Sequence, residues 1–574
     1  MRYLFLLAIP AFAQSWTQWG QNPRHSGAVN VVGQKQAGLI SQYAYDHLAD
    51  RMRADFGGNL LTHYMAPLVD GDEVYTLTRG ESTWVSCRLG VIPCGPQRWN
   101  QMEWGVTKLQ SSADNRLDKQ WSFLSNWKPA PNSSSGWEPV FHPALYGDAL
   151  YVPAEAGMVM KVDRKTGELL DCFHPFPDQD LNRVVVSPLT IDGNGVMFYT
   201  VIDFNPQSAW GLDVRGAFLV KVDTNSGESG TVSFGELIAD APVGNNCVGT
   251  FSGQSFPWPP SANAKPPASI CGSQRPPMNA APAVGNDGVI FIASRAHFNE
   301  AYSYLVAVNP DLTLRWKASL RDRLDDGCDV LLPPSGSVGG CRAGSTKGVD
   351  PTTNDFPAGR ISDQSTASPV IAPDGSIVYG TIARYNYSRG HLMRFSATGQ
   401  YLSAYDFGWD ITPAIYEHDD TWSVIVKDNT YPVGSYCGLA QFCGQAQASY
   451  SLTSLTPELK KEWSYLNTND QLCERQADDS IRCEKAAEPG FEWCVNMVAV
   501  DRDGVVYANS EDGNVYAIDR TGNEIGRLFL KVAIGAAYTP LAIGPDGRIY
   551  TQNDGVLFVT GDSVSKLGPG ARRP

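Results

Sequence analysis

Apolar and polar positions alternate along most of the chain in short runs, and the runs recur in a fixed phrase. A small residue and Pro lead into a brief apolar stretch, an Asp-Gly type turn and a strand of β-branched and aromatic residues. The phrase begins at Ala66-Pro67, His142-Pro143, Ser187-Pro188, Ala281-Pro282, Ser368-Pro369, Thr412-Pro413, Asn496 and Thr539-Pro540, the seventh copy lacking its Pro. A third strand follows, as in Met158 to Asp163, Phe218 to Asp223 or Val515 to Asp519, and then a turn such as Lys165-Thr166-Gly167-Glu168. The fourth strand carries a large residue, for example Trp121, Trp316, Tyr405 or Trp463. Four short alternating strands joined by Gly-rich turns predict one antiparallel blade.

Eight such units, spaced mostly about 40 to 80 residues apart, predict an all-β, eight-bladed propeller rather than a sandwich. One blade buries neither face alone, so stacking around a ring completes the core. The last unit ends with Val556 to Thr560 and lacks a fourth strand. Ala37 to Tyr45 has the fourth-strand pattern and is expected to complete that blade, closing the ring and removing free sheet edges. Residues 14–562 are therefore expected to form one domain, followed by a flexible tail at 563–574.

The opening Trp16-Thr17-Gln18-Trp19-Gly20-Gln21-Asn22-Pro23-Arg24-His25-Ser26-Gly27, followed by these blades, resembles the start of PQQ-like (quinoprotein alcohol dehydrogenase-like) propeller repeat proteins. That superfamily joins quinoprotein alcohol dehydrogenases with non-enzymatic members, so the resemblance implies a fold and not an activity. The enzymes typically hold the quinone between a tryptophan and a disulfide of adjacent cysteines, above calcium ligands and an aspartate base. No Cys-Cys dipeptide occurs here. No cofactor and no metal site are assigned, and PQQ with calcium belongs to the alternative reading.

Residues 1–13 begin with Arg2, continue through the apolar run Tyr3 to Ile9 and end in Ala11-Phe12-Ala13, the pattern of a cleaved signal peptide. About ten apolar residues fall short of the roughly twenty that span a bilayer, and no cysteine near the cleavage site invites a lipid. The expected location is periplasmic or extracellular. A formal net charge of -15 with 18% charged residues disfavours nucleic acid and anionic membrane as partners. The twelve cysteines suit an oxidising compartment, and ten form local pairs: Cys87-Cys94, Cys247-Cys271, Cys328-Cys341, Cys437-Cys443 and Cys473-Cys483. Cys494 and Cys172 remain over, and Cys172 is expected at the fourth-strand position that Trp121 fills elsewhere, buried between blades.

Catalytic motifs are lacking: there is no His-Glu-x-x-His, Gly-x-Ser-x-Gly or phosphate loop, and Asp501-Arg502-Asp503-Gly504 reads as a hairpin turn rather than a calcium loop. Loop length, in contrast, has a parity. Connections after first and third strands are tight, whereas the insertions at 81–103, 238–279, 321–366, 429–448 and 466–494 follow second or fourth strands and so share one face, each with one cysteine pair. Stapled loops on a rigid ring suit a binding surface. Residues expected to face that mouth are His142, Arg183, Arg295, His297, Asp363, Arg384, Trp409 and Asp410, as solvated charges of little weight in folding. The expected function is an exported, monomeric binding or scaffold propeller that takes a protein, peptide or polar small molecule. A PQQ-dependent oxidoreductase and a propeller hydrolase or lyase are the alternatives.

Overall fold

The computed structural model describes residues 14–55, 60, 65–80, 102–112, 114–130, 139–251, 261, 263–321, 323–324, 353, 355, 358–363, 365–383, 389–408, 411–430, 448–493, 495–535 and 540–562. It is an eight-bladed propeller of antiparallel sheets. Blade one comprises Leu68–Asp70, Glu73–Gly80, Glu103–Ser111 and Leu117–Ser125, in that order from the channel outwards. The first strands of the next six blades include Ala144–Tyr146, Thr190–Ile191, Ala283–Val284, Val370–Ile371, Ala414–His418 and Ala499–Val500. Each begins two or three residues after the start of the sequence phrase. In blades three and four a second inner segment, Arg183–Val185 and Gln274–Arg275, extends the pairing along the same second strand.

The hairpin turns follow from their residues. Gly195, Gly375 and Gly504 have φ of 82°, 78° and 82°, the left-handed region that glycine enters without a Cβ clash. The preceding aspartate locks the turn: Asp501 Oδ1 accepts from the backbone N–H groups of Asp503 and Val505, and its Oδ2 accepts from Gly33 N–H. That carboxylate is a turn device, as the sequence indicated.

Blades interlock through fourth-strand tryptophans. The Trp121 ring lies 2.7 Å from where a Cβ on Gly167 of the next blade would sit, and its Nε1 donates to Arg164 O at 3.2 Å. Trp316 repeats the arrangement on Gly399, donating to Ala397 O at 2.9 Å, and Trp463 covers Gly522. A one-residue bulge beside this position recurs in seven blades. Such a bulge re-aims a side chain, here toward the neighbouring blade. Register corrects one expectation: Lys108 pairs with Trp121, and its counterpart Lys161 pairs with Asp171. Cys172 is thus one residue off the tryptophan position, and it is half-buried and free.

Closure takes place in blade eight. Gly38–Ala44 pairs antiparallel with Val556–Gly561, from Gly38 opposite Gly561 to Ala44 opposite Val556. The bulge falls between Leu39 and Ser41, so a strand from the far end of the chain reproduces the outer-strand geometry of the other blades.

The segment before that strand does something the pattern of apolar positions does not announce. It runs around the channel wall and bonds to the inner strand or first turn of every blade in order. Trp16 exchanges two backbone bonds with Val69; the N–H groups of Leu145, Val284, Ile371 and Ile415 donate to the carbonyls of Thr17, Pro23, Arg24 and Ser26. Ile191 N–H donates to the Gln18 side chain. Val500 bonds to Gly27 and Val29, and Gln34 N–H donates to Gly547 O. All these partners lie beside the tight turns, so this inner belt occupies the tight-turn end of the channel.

Deleting residues 14–46 removes both the belt and the closing strand. We expect the cooperative thermal transition to be lost, read by circular dichroism; a melting point within about two degrees of the full-length protein would contradict ring closure as the source of stability.

Candidate functional site

With the belt across the tight-turn mouth, the opposite mouth is where connections after second and fourth strands gather. A cleft of about 580 Å³ opens there. Its walls come from four such connections: residues 128–130 after blade one, the turn 154–156 within blade two, residues 181–184 before blade three, and 204–210 within blade three. The volume lies in the range of small-molecule pockets, and the lining mixes apolar surface with a few charges.

Each charged group has a local cause. The link between the second and third strands of blade two is short, Ala154 N–H donating to Met158 O at 2.9 Å and Met158 N–H to Glu155 O at 3.1 Å. To make this turn, Ala156 adopts φ 56° and ψ 25° while buried, a conformation that costs a non-glycine residue roughly 1 kcal/mol or more. The turn places Glu155 in the cleft. Lys128 donates from Nζ to Met102 O at 2.7 Å, and burial lowers its pKa despite the nearby Glu103 and Glu155. Arg183 lies over the Phe176 ring at 4.7 Å and pairs with Asp178 and Asp203.

Trp210 links the cleft to a second cluster. Its ring is stacked on His297, with centroids 6.3 Å apart and planes at 11°, and the Arg275 guanidinium lies 6.0 Å from the same ring. Arg275 grips Asp363 with two bonds of 2.7 and 2.6 Å, and Arg295 adds a third at 3.2 Å. Burial alone would raise the Asp363 carboxyl, but Arg275 and Arg295 outweigh it and hold it well below the usual carboxylate range. Arg275 Nε donates to His297 Nδ1 at 2.9 Å. A guanidinium has no lone pair to accept with, so Nδ1 is the acceptor and the proton of the neutral ring sits on Nε2. Burial, reinforced by Arg275, depresses the His297 pKa to about 4 and keeps the ring neutral.

Four of the residues expected at the mouth are therefore placed near one another: Arg183 on the cleft, and Arg295, His297 and Asp363 behind Trp210. Their character differs from the expectation of solvated charges. Arg295 is 7% exposed and bonded to Asp363 and to the carbonyls of Ala296 and His297, so its reversal would strand a buried carboxylate. His142 faces inward instead: it is fully buried, donates from Nδ1 to Pro143 O at 2.9 Å and meets the belt residue Trp19 edge to face at 5.3 Å. Arg384, Trp409 and Asp410 lie outside the described residues.

The Cys247–Cys271 and Cys473–Cys483 disulfides are formed. The first staples a ribbon of Cys247–Val248 and Ala268–Ser269 that bonds to Asn299 and Tyr302. The second staples a ribbon of Gln471–Arg475 and Ile481–Lys485 that leans on residues 529–533. Cys87-Cys94, Cys328-Cys341, Cys437-Cys443 and Cys494 fall outside the described residues. Sequence reasoning missed Lys128, Glu155, Trp210 and Arg275. The available signal was a charged residue, Glu155, in a link too short to be an insertion yet on the long-loop face.

With this geometry in hand, the molecule has the fold of the quinoprotein alcohol dehydrogenase propellers. Among solved structures it is similar to the quinohemoprotein alcohol dehydrogenase of Comamonas testosteroni, at 12% identity and a TM-score of 0.54 over 98% of this chain and 83% of that one. It is also similar to the quinohemoprotein alcohol dehydrogenase ADHIIG of Pseudomonas putida HK5, at 11% identity and 0.50 over 98% and 82%. No protein-family model matches the chain, and no curated protein matches it.

The quinone and calcium implied by the enzymatic members of this fold do not fit the described residues. The chain has no adjacent cysteine pair. Among the described residues no group of three or more His, Cys, Asp or Glu is arranged to hold a metal, and Asp363 is committed to two arginines.

Two outcomes follow from the charges. Asp363→Asn leaves Arg275 and Arg295 buried without a counter-charge and should destabilise the protein by about 3–5 kcal/mol in denaturant titration; a loss below about 1 kcal/mol would contradict the cluster. His25, His142 and His297 have folded pKa values lowered by burial to about 4, 3 and 4. The unfolded chain, near 6.5, binds these protons first, so their stabilisation is complete above pH 6.5 and is lost as pH falls toward 4. Denaturation midpoints across that window should fall steadily, and His142→Gln should flatten the slope by about one proton.

Proposed function

We propose that the chain is an exported binding or scaffold propeller that takes its ligand at the long-loop mouth, with the cleft between blades one and three as the anchoring pocket. The observation carrying this reading is the asymmetry of the ring: a belt lies across one mouth, and at the other a lined cleft abuts a prepaid ion-pair cluster through Trp210. A rigid frame of this kind lets a ligand bind without ordering the pocket first. The lining, with Phe204 and Trp210 beside Lys128, Glu155 and Arg183, suits a polar small molecule or a peptide segment carrying an apolar side chain.

Export is supported by the signal-like residues 1–13 and by disulfides, which persist in oxidising compartments. Among the described residues no helix is long and apolar enough to cross a membrane. We place the protein as a monomer that does not insert into a membrane, its acidic balance disfavouring nucleic acid and anionic membrane as partners.

Purified protein incubated with PQQ and calcium separates this reading from the oxidoreductase alternative. We expect no retained quinone absorbance after gel filtration and no dye-linked alcohol oxidation. Stoichiometric quinone with alcohol-dependent dye reduction would replace the binding reading with an enzymatic one.

A further inference from the structure

We infer that the cleft selects a zwitterion: an amino acid, or a peptide end, that presents an ammonium and a carboxylate next to an apolar or aromatic side chain. The inference rests on the cleft being the ligand site, and it concerns what that site discriminates.

The cleft holds three charges: Arg183 is already paired with Asp178 and Asp203, which leaves Lys128 and Glu155 as two opposite charges that are not joined. Glu155 and Lys128 both line it, Lys128 lies in the field of Glu103 and, more weakly, of Glu155, and among the described residues no ion pair joins it to either. The Glu155 carboxylate accepts no hydrogen bond among the described residues; the bonds of Glu155 are made by its backbone, its N–H donating to Asn126 Oδ1 at 3.2 Å and its carbonyl accepting from Met158 N–H at 3.1 Å. Lys128 uses one of its three N–H donors, on Met102 O. Half-buried charges with open valences are costly, and a direct salt bridge would lower that cost. Instead Glu155 is held by a turn whose Ala156 sits in the left-handed region. Backbone strain of this kind persists only where the surroundings enforce it and is concentrated at functional sites.

A ligand that completes both groups must bring a cation to Glu155 and an anion to Lys128. A purely anionic ligand meets the Glu155 carboxylate, and a purely cationic one meets the Lys128 ammonium, so each forfeits one contact and gains one repulsion. One carboxylate facing an ammonium is likewise a poor donor set for a divalent cation. The rest of the wall mixes the neutral polar side chains of Asn182, Asn205, Gln207 and Ser208 with an apolar part, where Pro129, Ala130, Phe204, Pro206 and Trp210 offer a surface for a side chain and the Trp210 ring is stacked on His297.

The test uses the full-length protein and four probes: L-phenylalanine, the dipeptide Phe-Phe, phenethylamine and 3-phenylpropionate. Affinities are read by isothermal titration, and sites by hydrogen exchange. Phenylalanine or the dipeptide should bind at least tenfold more tightly than the amine and the acid, with protection at residues 128–130, 154–156 and 204–210. Glu155→Gln should erase the preference over 3-phenylpropionate, and Lys128→Met the preference over phenethylamine, with melting points kept. If the amine or the acid binds within twofold of the zwitterions at the same residues, zwitterion selection is wrong while the cleft remains the site. If all four probes fail to bind, the inference is overturned. If protection falls on the tight-turn face, the cleft itself is overturned as the site.

Discussion

The structure depends on one constraint, that a ring of sheets has to be closed by chain drawn from its far end. Blade eight borrows its outer strand from residues 38–44, and the belt ahead of that strand bonds to each blade in sequence. Without that strand the last blade exposes an unpaired edge and the first loses a neighbour. The tryptophan on glycine contacts between blades then act as repeated rivets. Each matches one large ring to a position where any Cβ would collide, so neighbouring blades fit in only one register.

Closure of this kind also decides which face of the ring is available. The belt lies at the tight-turn end because the inner strands present their free backbone groups there, beside short turns whose clefts, about 190 and 240 Å³, are smaller than the one at the other end. At the other end the connections are free to lengthen, and two of them are stapled by disulfides among the described residues. The cleft and the Arg275, Arg295 and Asp363 cluster both occupy that end, with Trp210 shared between them. Buried ion pairs are weak contributors to net stability but strong determinants of one arrangement, because each partner left alone is so costly. Here the cluster holds the back of a pocket wall in place.

Much of the fold was legible because its signals are local. Pro before an apolar run, Gly-containing turns and large outer-strand residues recur from blade to blade, and the missing eighth outer strand pointed to residues 37–45. The belt was not legible as such: residues 14–34 have no strand periodicity, and their contacts with the blades are made by backbone groups, which carry no side-chain pattern, except at blade three, where the Gln18 side chain bonds to Ile191. Cys172 was displaced by one residue because the outer position is set by cross-strand pairing, Lys161 with Asp171 as Lys108 with Trp121, which the sequence does not spell out. Arg295 and Asp363 were expected as solvated charges, and their pairing was not legible because it depends on Arg275, which arrives from an insertion. Glu155 and Lys128 were overlooked because they sit in short connections, where attention to long loops gave no reason to look.

Hydrogen exchange of the unliganded protein tests the closure most directly. The amides of Leu145, Val284, Ile371, Ile415 and Val500 donate to belt carbonyls from five different blades. The account predicts that all five exchange only through global unfolding, with one shared opening free energy. Rapid exchange of these amides through local opening, while the outer strands stay protected, would mean that the belt is loose and that the tight-turn mouth is open after all.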